Sequence, residues 1–299
     1  MKTDVSSNVR PAVSRTGSTC EAPTLREFWT KYLPYARTNK RPNTVRCNVL
    51  SFSNLVRFLG DVRLDAITPY AVEEFKASRL VADVTPASTN RDLALLKNLF
   101  TVAILWGFID RNPVHDVKLL REPPPRTRYL APAELDRLLF AAPRHLVPII
   151  KIAVYTGMRV GEILGITWAD VAPDGGSVRL LRTKNGEARL AYLSTSARDV
   201  IAEARARKNG PYVFHFRGRR IGSIKTAWRK TVRLAGIDDF RFHDLRHTFA
   251  SHMVMRGADI QTVQTLLGHK SITMTTKYSH LSAGHLREAV EKVADLGTV

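Results

Sequence analysis

A chain of 299 residues, 44% hydrophobic and 24% charged, has the make-up of a globular protein long enough for two domains, which excludes a fibrous or low-complexity chain. No apolar run approaches a membrane span and the N-terminus lacks the apolar stretch of a secretory signal, so no membrane partner is expected and Cys20 and Cys47 are read as reduced thiols of a cytoplasmic protein. Lys and Arg number 46 against 27 Asp and Glu, a net charge of +19, and an excess this large points to a polyanionic partner.

The charge is not confined to a tail. Residues 1–120 carry 17 basic and 11 acidic groups, net +6; residues 121–299 carry 29 and 16, net +13. Arginine outnumbers lysine by 32 to 14, and the planar guanidinium suits phosphate better than an ammonium does. Nucleic acid is the partner this favours, against a merely solubilising basic surface or an anionic membrane.

Residues 1–22 lack hydrophobic periodicity and read as a flexible leader. From Thr24 the period becomes helical, with Leu25, Phe28, Trp29 and Leu33 on one face. A second helix over residues 43–59 sets Val45, Val49, Phe52, Val56 and Leu59 inward. Thr68–Pro69 and Thr85–Pro86, each a cap followed by proline, open a third and a fourth; the last carries Leu93, Leu96, Phe100 and Ile104. These make an all-α domain over residues 23–120. Residues 121–128, REPPPRTR, form a stiff basic linker. A second domain over residues 129–299 opens with helices at 132–141, with Ala131 where a capping Ser or Thr is expected, and 145–155, then a short helix past Gly157. Strands at 178–181 and 189–192 flank Asn185–Gly186, a hairpin signal. Helices return at 194–207, 223–234, 243–256 and 259–267, the last ended by Gly268, and a final helix covers 283–293. The fold class is mainly α, with one small antiparallel sheet.

Four stretches could carry chemistry. In TGMRVGE, Arg159 lies among apolar neighbours, so it is half-buried and needs an anion; Glu162, three residues on, is a structural partner or a holder of the guanidinium for phosphate. In RTKNGEAR, Lys184 sits beside a tight turn, as a solvated side chain or as a proton donor reaching into DNA. In HDLRHTFASH, His243 and Arg246 share a helix face, while His247 and His252 read as packing residues. His243 and His247 also have metal-ligand spacing, but no zinc-protease glutamate or cysteine pair accompanies them. In LLGHKSITMTTKYSH, His269 follows a helix-ending glycine and Tyr278 comes nine residues later; a lone tyrosine near a C-terminus is most often a packing residue. Together, two arginines, two histidines, a lysine and a tyrosine meet the needs of phosphodiester cleavage: donors for a five-coordinate phosphorus, an acid and a nucleophile. No acidic cluster able to hold magnesium stands out, so a route without metal or other cofactor is expected.

With these motifs in place the chain resembles the tyrosine recombinase, or phage integrase, family along nearly its whole length. TGMRVGE is similar to that family's first arginine box, HDLRHTFASH to its central box and LLGHKSITMTTKYSH to its terminal box. The resemblance implies a SAM-like four-helix core-binding domain and a catalytic domain of the DNA breaking-rejoining enzyme fold, with Arg159, Lys184, His243, Arg246, His269 and Tyr278 as the active site and Glu162 in support. It further implies double-stranded DNA with a specific site as substrate, a 3′-phosphotyrosyl intermediate, no ATP, and a homotetramer on two sites whose final helix docks on a neighbour. Accessory directionality factors and a mobile-element role belong to the same expectation, and the short leader suggests the two-domain type. A type IB topoisomerase and a catalytically silent DNA-binding protein are the competing readings.

Overall fold

Among the described residues proline occupies the first helical turn of five helices, where its missing N–H costs nothing and its fixed φ favours the start. The computed structural model describes residues 21–124, 126–180 and 188–282, so the hairpin turn with Lys184 and the final helix lie outside the described residues. The chain divides into two units, residues 1–124 and 125–299.

In the first unit four α-helices are described: α1 (Leu25–Asn39), α2 (Pro42–Leu59), α3 (Pro69–Val81) and α4 (Pro86–Leu105). A reciprocal cap starts α1: the Thr24 hydroxyl accepts from the Glu27 amide at 3.2 Å and the Glu27 carboxylate from the Thr24 amide at 2.8 Å. Its inner face differs from the expected one. Leu25, Phe28, Tyr32 and Ala36 are buried, while Trp29 stacks on Phe52 at the rim, ring centroids 4.1 Å apart. Tyr32 reaches inward because its hydroxyl finds Asn98 Oδ1 at 2.6 Å. On α2 the inward residues are Phe52, Leu55 and Val56, and Val49 is exposed. Leu93, Leu96, Leu99 and Phe100 of α4 fill the middle, Ile104 having turned outward. Each such burial contributes about 1.5–3 kcal/mol. A charged pair reaches this core: Arg79 of α3 meets Asp92 of α4 at 3.0 Å, the aspartate side chain only 4% exposed.

The second unit runs α5 (Pro132–Ala141), α6 (Val147–Thr156), α7 (Val160–Ile163), β1 (Ser177–Leu180), β2 (Arg189–Tyr192), α8 (Thr195–Ala206), β3 (His215–Phe216), β4 (Arg219–Arg220), α9 (Lys225–Leu234), α10 (Asp244–Met255) and α11 (Ile260–Leu267), then two 3-10 turns at Ile272–Met274 and Thr276–Ser282. Strands β1 and β2 pair antiparallel with Val178 opposite Ala191, both buried. The mainly α class with a small antiparallel sheet is as expected, and a second two-stranded ladder, β3 with β4, adds to it. Helix α10 is the axis of the unit. Leu245 near its start belongs to the main core with Ile149, Ile150 and Ile152 of α6, and its far end packs Ala250 and Val254 against Val263, Leu267 and Tyr278. It also grips the chain entering α5: Leu130 donates to the Thr248 hydroxyl at 3.1 Å, and its carbonyl accepts from His252 Nε2 at 2.8 Å. His252 is thus a packing residue held by one hydrogen bond.

A candidate anion site built on helix ends

Helix α6 ends at Gly157 in the left-handed region, φ +64°. A Cβ there would lie 2.6 Å from Phe249 and 2.7 Å from Leu267, so only glycine lets the chain turn this close to α10 and α11. The turn delivers Arg159 to the start of α7. Its amide donates to Glu162 Oε2 at 2.9 Å and its guanidinium to Oε1 at 3.1 Å. Glu162 also takes a bond from Arg189 Nη2 at 3.0 Å, while Arg189 Nη1 donates to the Leu266 carbonyl at 2.8 Å. One buried carboxylate therefore holds two guanidinium groups. Burial alone would push the Glu162 carboxyl up, but the Arg159 amide and the charges of Arg189 and Arg159 outweigh it and hold the pKa below the usual range.

Arg246, buried on α10, donates to two carbonyls, Gly157 at 2.7 Å and Leu267 at 2.5 Å. Those carbonyls sit two residues before Arg159 and two before His269, so a single guanidinium ties together the segments that carry them. Among the described residues it has no salt bridge. Burial, then repulsion from Arg159 and Arg189, lowers its pKa to about 9. After Gly268 closes α11, the His269 amide donates to the Gln264 carbonyl and the Gln264 side chain to the His269 carbonyl, each at 3.1 Å. The ring's Nδ1 lies 2.8 Å from the Thr275 hydroxyl.

Tyr278 stands in the 3-10 turn and is 1% exposed, its hydroxyl 2.5 Å from Nδ1 of His247. Lys277 Nζ lies 5.0 Å from the centre of the same ring. His243, exposed at the start of α10, sets its ring 5.4 Å from that of His247. Burial pushes the Tyr278 phenol well above its ordinary value, against the pull of Arg246. Burial followed by the surrounding cations pushes His247 and His269 down to about 3 and lowers Lys277; His243, though its surface stays open at the helix start, is lowered by partial desolvation of its ring and by the charges of Arg246, Lys277 and Arg159. The histidines are thus neutral at pH 7, able to donate from one nitrogen and accept at the other.

Arg159, Glu162, His243, Arg246, His269 and Tyr278 therefore belong to one network of contacts and mutual electrostatic influence. Lys184 falls in residues 181–187, outside the described residues. Four neighbours were not foreseen. Arg189 shares strand parity with the buried Ala191, a period-two signal that would have placed it inward. His247, expected to pack, bonds Tyr278. Lys277 and Thr275 had no signal beyond closeness to Tyr278 in the chain. Positive charge exceeds negative throughout, so the cluster is built to take an anion and to stabilise charge on its oxygens. Among the described residues no three His, Cys, Asp or Glu side chains converge as metal ligands, and no helix is long and apolar enough to cross a membrane.

Comparison with known proteins bears on this cluster. A model of the phage integrase family matches residues 128–285, more than half of the chain and all three motifs. The shufflon-specific DNA recombinase of Escherichia coli is 32% identical over 246 residues, covering 78% of this chain and 61% of the relative. The integrase of Salmonella phage P22 is 29% identical over 63% of this chain and 52% of its own length, so the chain spans less than two thirds of either relative. Tyrosine recombinase XerC of Pelobacter propionicus is 27% identical over 85% of this chain and 90% of its own. In fold, the chain is similar to lambda integrase(75–356), solved as a dimer bound to a COC′ core site, with a TM-score of 0.73 at 23% identity over 84% of this chain and 97% of that one. Motifs, fold and family model agree: the chain belongs to the phage integrase family.

Proposed function

We propose that this chain is a site-specific DNA recombinase that cuts and rejoins double-stranded DNA through a covalent phosphotyrosine at Tyr278. The observation that carries this reading is the buried Arg246, hydrogen-bonded among the described residues to the Gly157 and Leu267 carbonyls and set among Arg159, His269 and Tyr278. A guanidinium so placed has positive charge to spare, and a phosphodiester is the anion that a neighbouring tyrosine could attack.

In this mechanism the Tyr278 oxygen bonds to phosphorus as the bond to the 5′-oxygen breaks, leaving a 3′-phosphotyrosyl enzyme and a free 5′-hydroxyl. Arg159 and Arg246 hold the non-bridging oxygens, His269 donates to one of them, and His243 assists removal of the tyrosine proton. Lys184 protonates the leaving oxygen. Glu162 keeps Arg159 in place. Each oxyanion donor contributes about 3–4 kcal/mol to transition-state stabilisation. The phosphotyrosyl bond conserves the diester's energy, so attack by a partner strand's 5′-hydroxyl rejoins DNA without ATP. With Tyr278 1% exposed, attack requires its turn to move and uncover the hydroxyl. We place four protomers on two recombination sites, in the integration or excision of a mobile element within the cytoplasm, with directionality factors as candidate partners.

The test is covalent capture on a pool of nicked duplexes randomised around the nick, resolved on a denaturing gel. A protein–DNA band from the wild type, absent in Tyr278→Phe while native-gel DNA binding persists, is the expected result. Capture retained by Tyr278→Phe would overturn the nucleophile, and binding without any wild-type capture would make the chain a DNA-binding protein without strand cleavage.

A further inference from the structure

His269 is pinned on three sides. Gln264 takes both of its backbone groups, and the Thr275 hydroxyl lies 2.8 Å from Nδ1. Thr275 is fully buried, at 0% exposure, and its hydroxyl has no other hydrogen bond among the described residues. The same residue's carbonyl accepts from the Tyr278 amide at 3.0 Å, so one threonine touches both the histidine and the turn of the tyrosine.

Two proton arrangements fit the Thr275–His269 contact, and they are not equal. If Nδ1 carried the proton and donated to the threonine oxygen, the threonine's own hydrogen would be buried with no acceptor. That costs about 1–3 kcal/mol. If the hydroxyl donates to a bare Nδ1, both groups are satisfied and the ring's single proton goes to Nε2. The depressed pKa of His269, about 3 through burial and the neighbouring cations, keeps the ring in the neutral form to which this choice applies.

We propose that Thr275 is a positioning residue, whose hydroxyl donates to Nδ1 of His269 and so fixes the ring plane and makes Nε2 the nitrogen that presents a proton to the phosphate. The inference deepens the strand-cleavage reading above and rests on it for its consequence, though not for its proton assignment. Thr275 does not touch substrate. Through its carbonyl it also sets the start of the Tyr278 turn, so the donor to the phosphate oxygen and the nucleophile share one buried anchor.

The experiment uses the full chain labelled with 15N-histidine, the His269 resonances being identified by their absence in His269→Gln. In the wild type and in Thr275→Ser, Nε2 should carry the proton and Nδ1 should show the shift of an accepting nitrogen. In Thr275→Val, of nearly the same shape, Nδ1 should lose that shift, and capture of the randomised nicked duplexes should slow about tenfold at unchanged DNA binding, with Ser restoring the rate. A proton found on Nδ1 in the wild type would overturn the proposal, and so would an unchanged Nδ1 resonance in Thr275→Val. Should Thr275→Val fail to fold, the wild-type and Thr275→Ser spectra still decide it. If the wild type captured no DNA, the strand-cleavage reading would fall while the proton assignment stood or fell by its own resonances.

Discussion

Each unit takes an arginine into its packing, half-buried Arg79 in the first and buried Arg246 in the second, and the two are treated in opposite ways. Arg79 in the first faces a carboxylate, Asp92, at 3.0 Å. Arg246 in the second donates to two backbone carbonyls instead. The first pair is electrically closed, and with Asn54 of α2 also donating to Asp92 it ties α2, α3 and α4 together. Carbonyl dipoles take up two of the Arg246 hydrogens without cancelling its charge, and Arg159 and Arg189 add to that charge while Glu162 and Tyr278 offset part of it. A buried cation left open in this way is costly in the free protein and becomes favourable when an anion arrives.

The comparison can be broken most sharply through the arginines themselves. Arg246→Ala should lower the rate of covalent capture about 100- to 1,000-fold, as loss of a preorganised oxyanion donor does, with the folded state retained by circular dichroism. Arg79→Ala should do the reverse, leaving the buried Asp92 carboxylate with the Asn54 amide but without its cation and destabilising the first unit by about 3 kcal/mol in urea titration, with capture per folded molecule unchanged. Similar effects of the two variants on capture would remove the distinction.

A smaller effect tests the electrostatics by pH. His247 and His269 have folded pKa values of about 3 against about 6.5 in an unfolded chain. Below about pH 6.5 the unfolded chain binds protons that the folded chain refuses, so stability must fall as pH drops toward 3. At pH 4.5 the loss is about 2–3 kcal/mol for each histidine at most, and calorimetry should find it in the second unit, since the first holds only the exposed His115. A second unit as stable at pH 4.5 as at pH 7 would contradict this. Smallest of all is Asp65→Asn, which removes one of the surface carboxylates paired with Arg63, leaving Glu21, and should leave the melting temperature within error.

Much of the fold was legible because proline and glycine mark ends unambiguously: Pro69, Pro86 and Pro132 begin helices, and Gly157 and Gly268 end them. Inner faces were less legible. Spacing alone put Trp29 inside, where the buried ring is that of Tyr32, because a tyrosine hydroxyl with a waiting amide can enter a core that a rim-stacked indole does not. The ladder at 215–220 left no trace, since two-residue strands cannot alternate; it turns through Arg217 and Gly218, both at positive φ. Within the site, Arg159 with Glu162 and His243 with Arg246 were visible as helical spacings. His247 with Tyr278 was not, since it joins positions 31 apart in the chain.

The seat of Arg246 also has a meaning in time. Its two carbonyls lie 89 residues before it and 21 after it, and neither is within reach until α6, α10 and α11 have packed. A chain whose synthesis has reached only the end of α10 has the arginine but not Leu267, His269 or Tyr278. The proposed cutting machinery is therefore incomplete in any product of synthesis that stops before Leu267, and the seat of Arg246 forms only when α6, α10 and α11 are all in place.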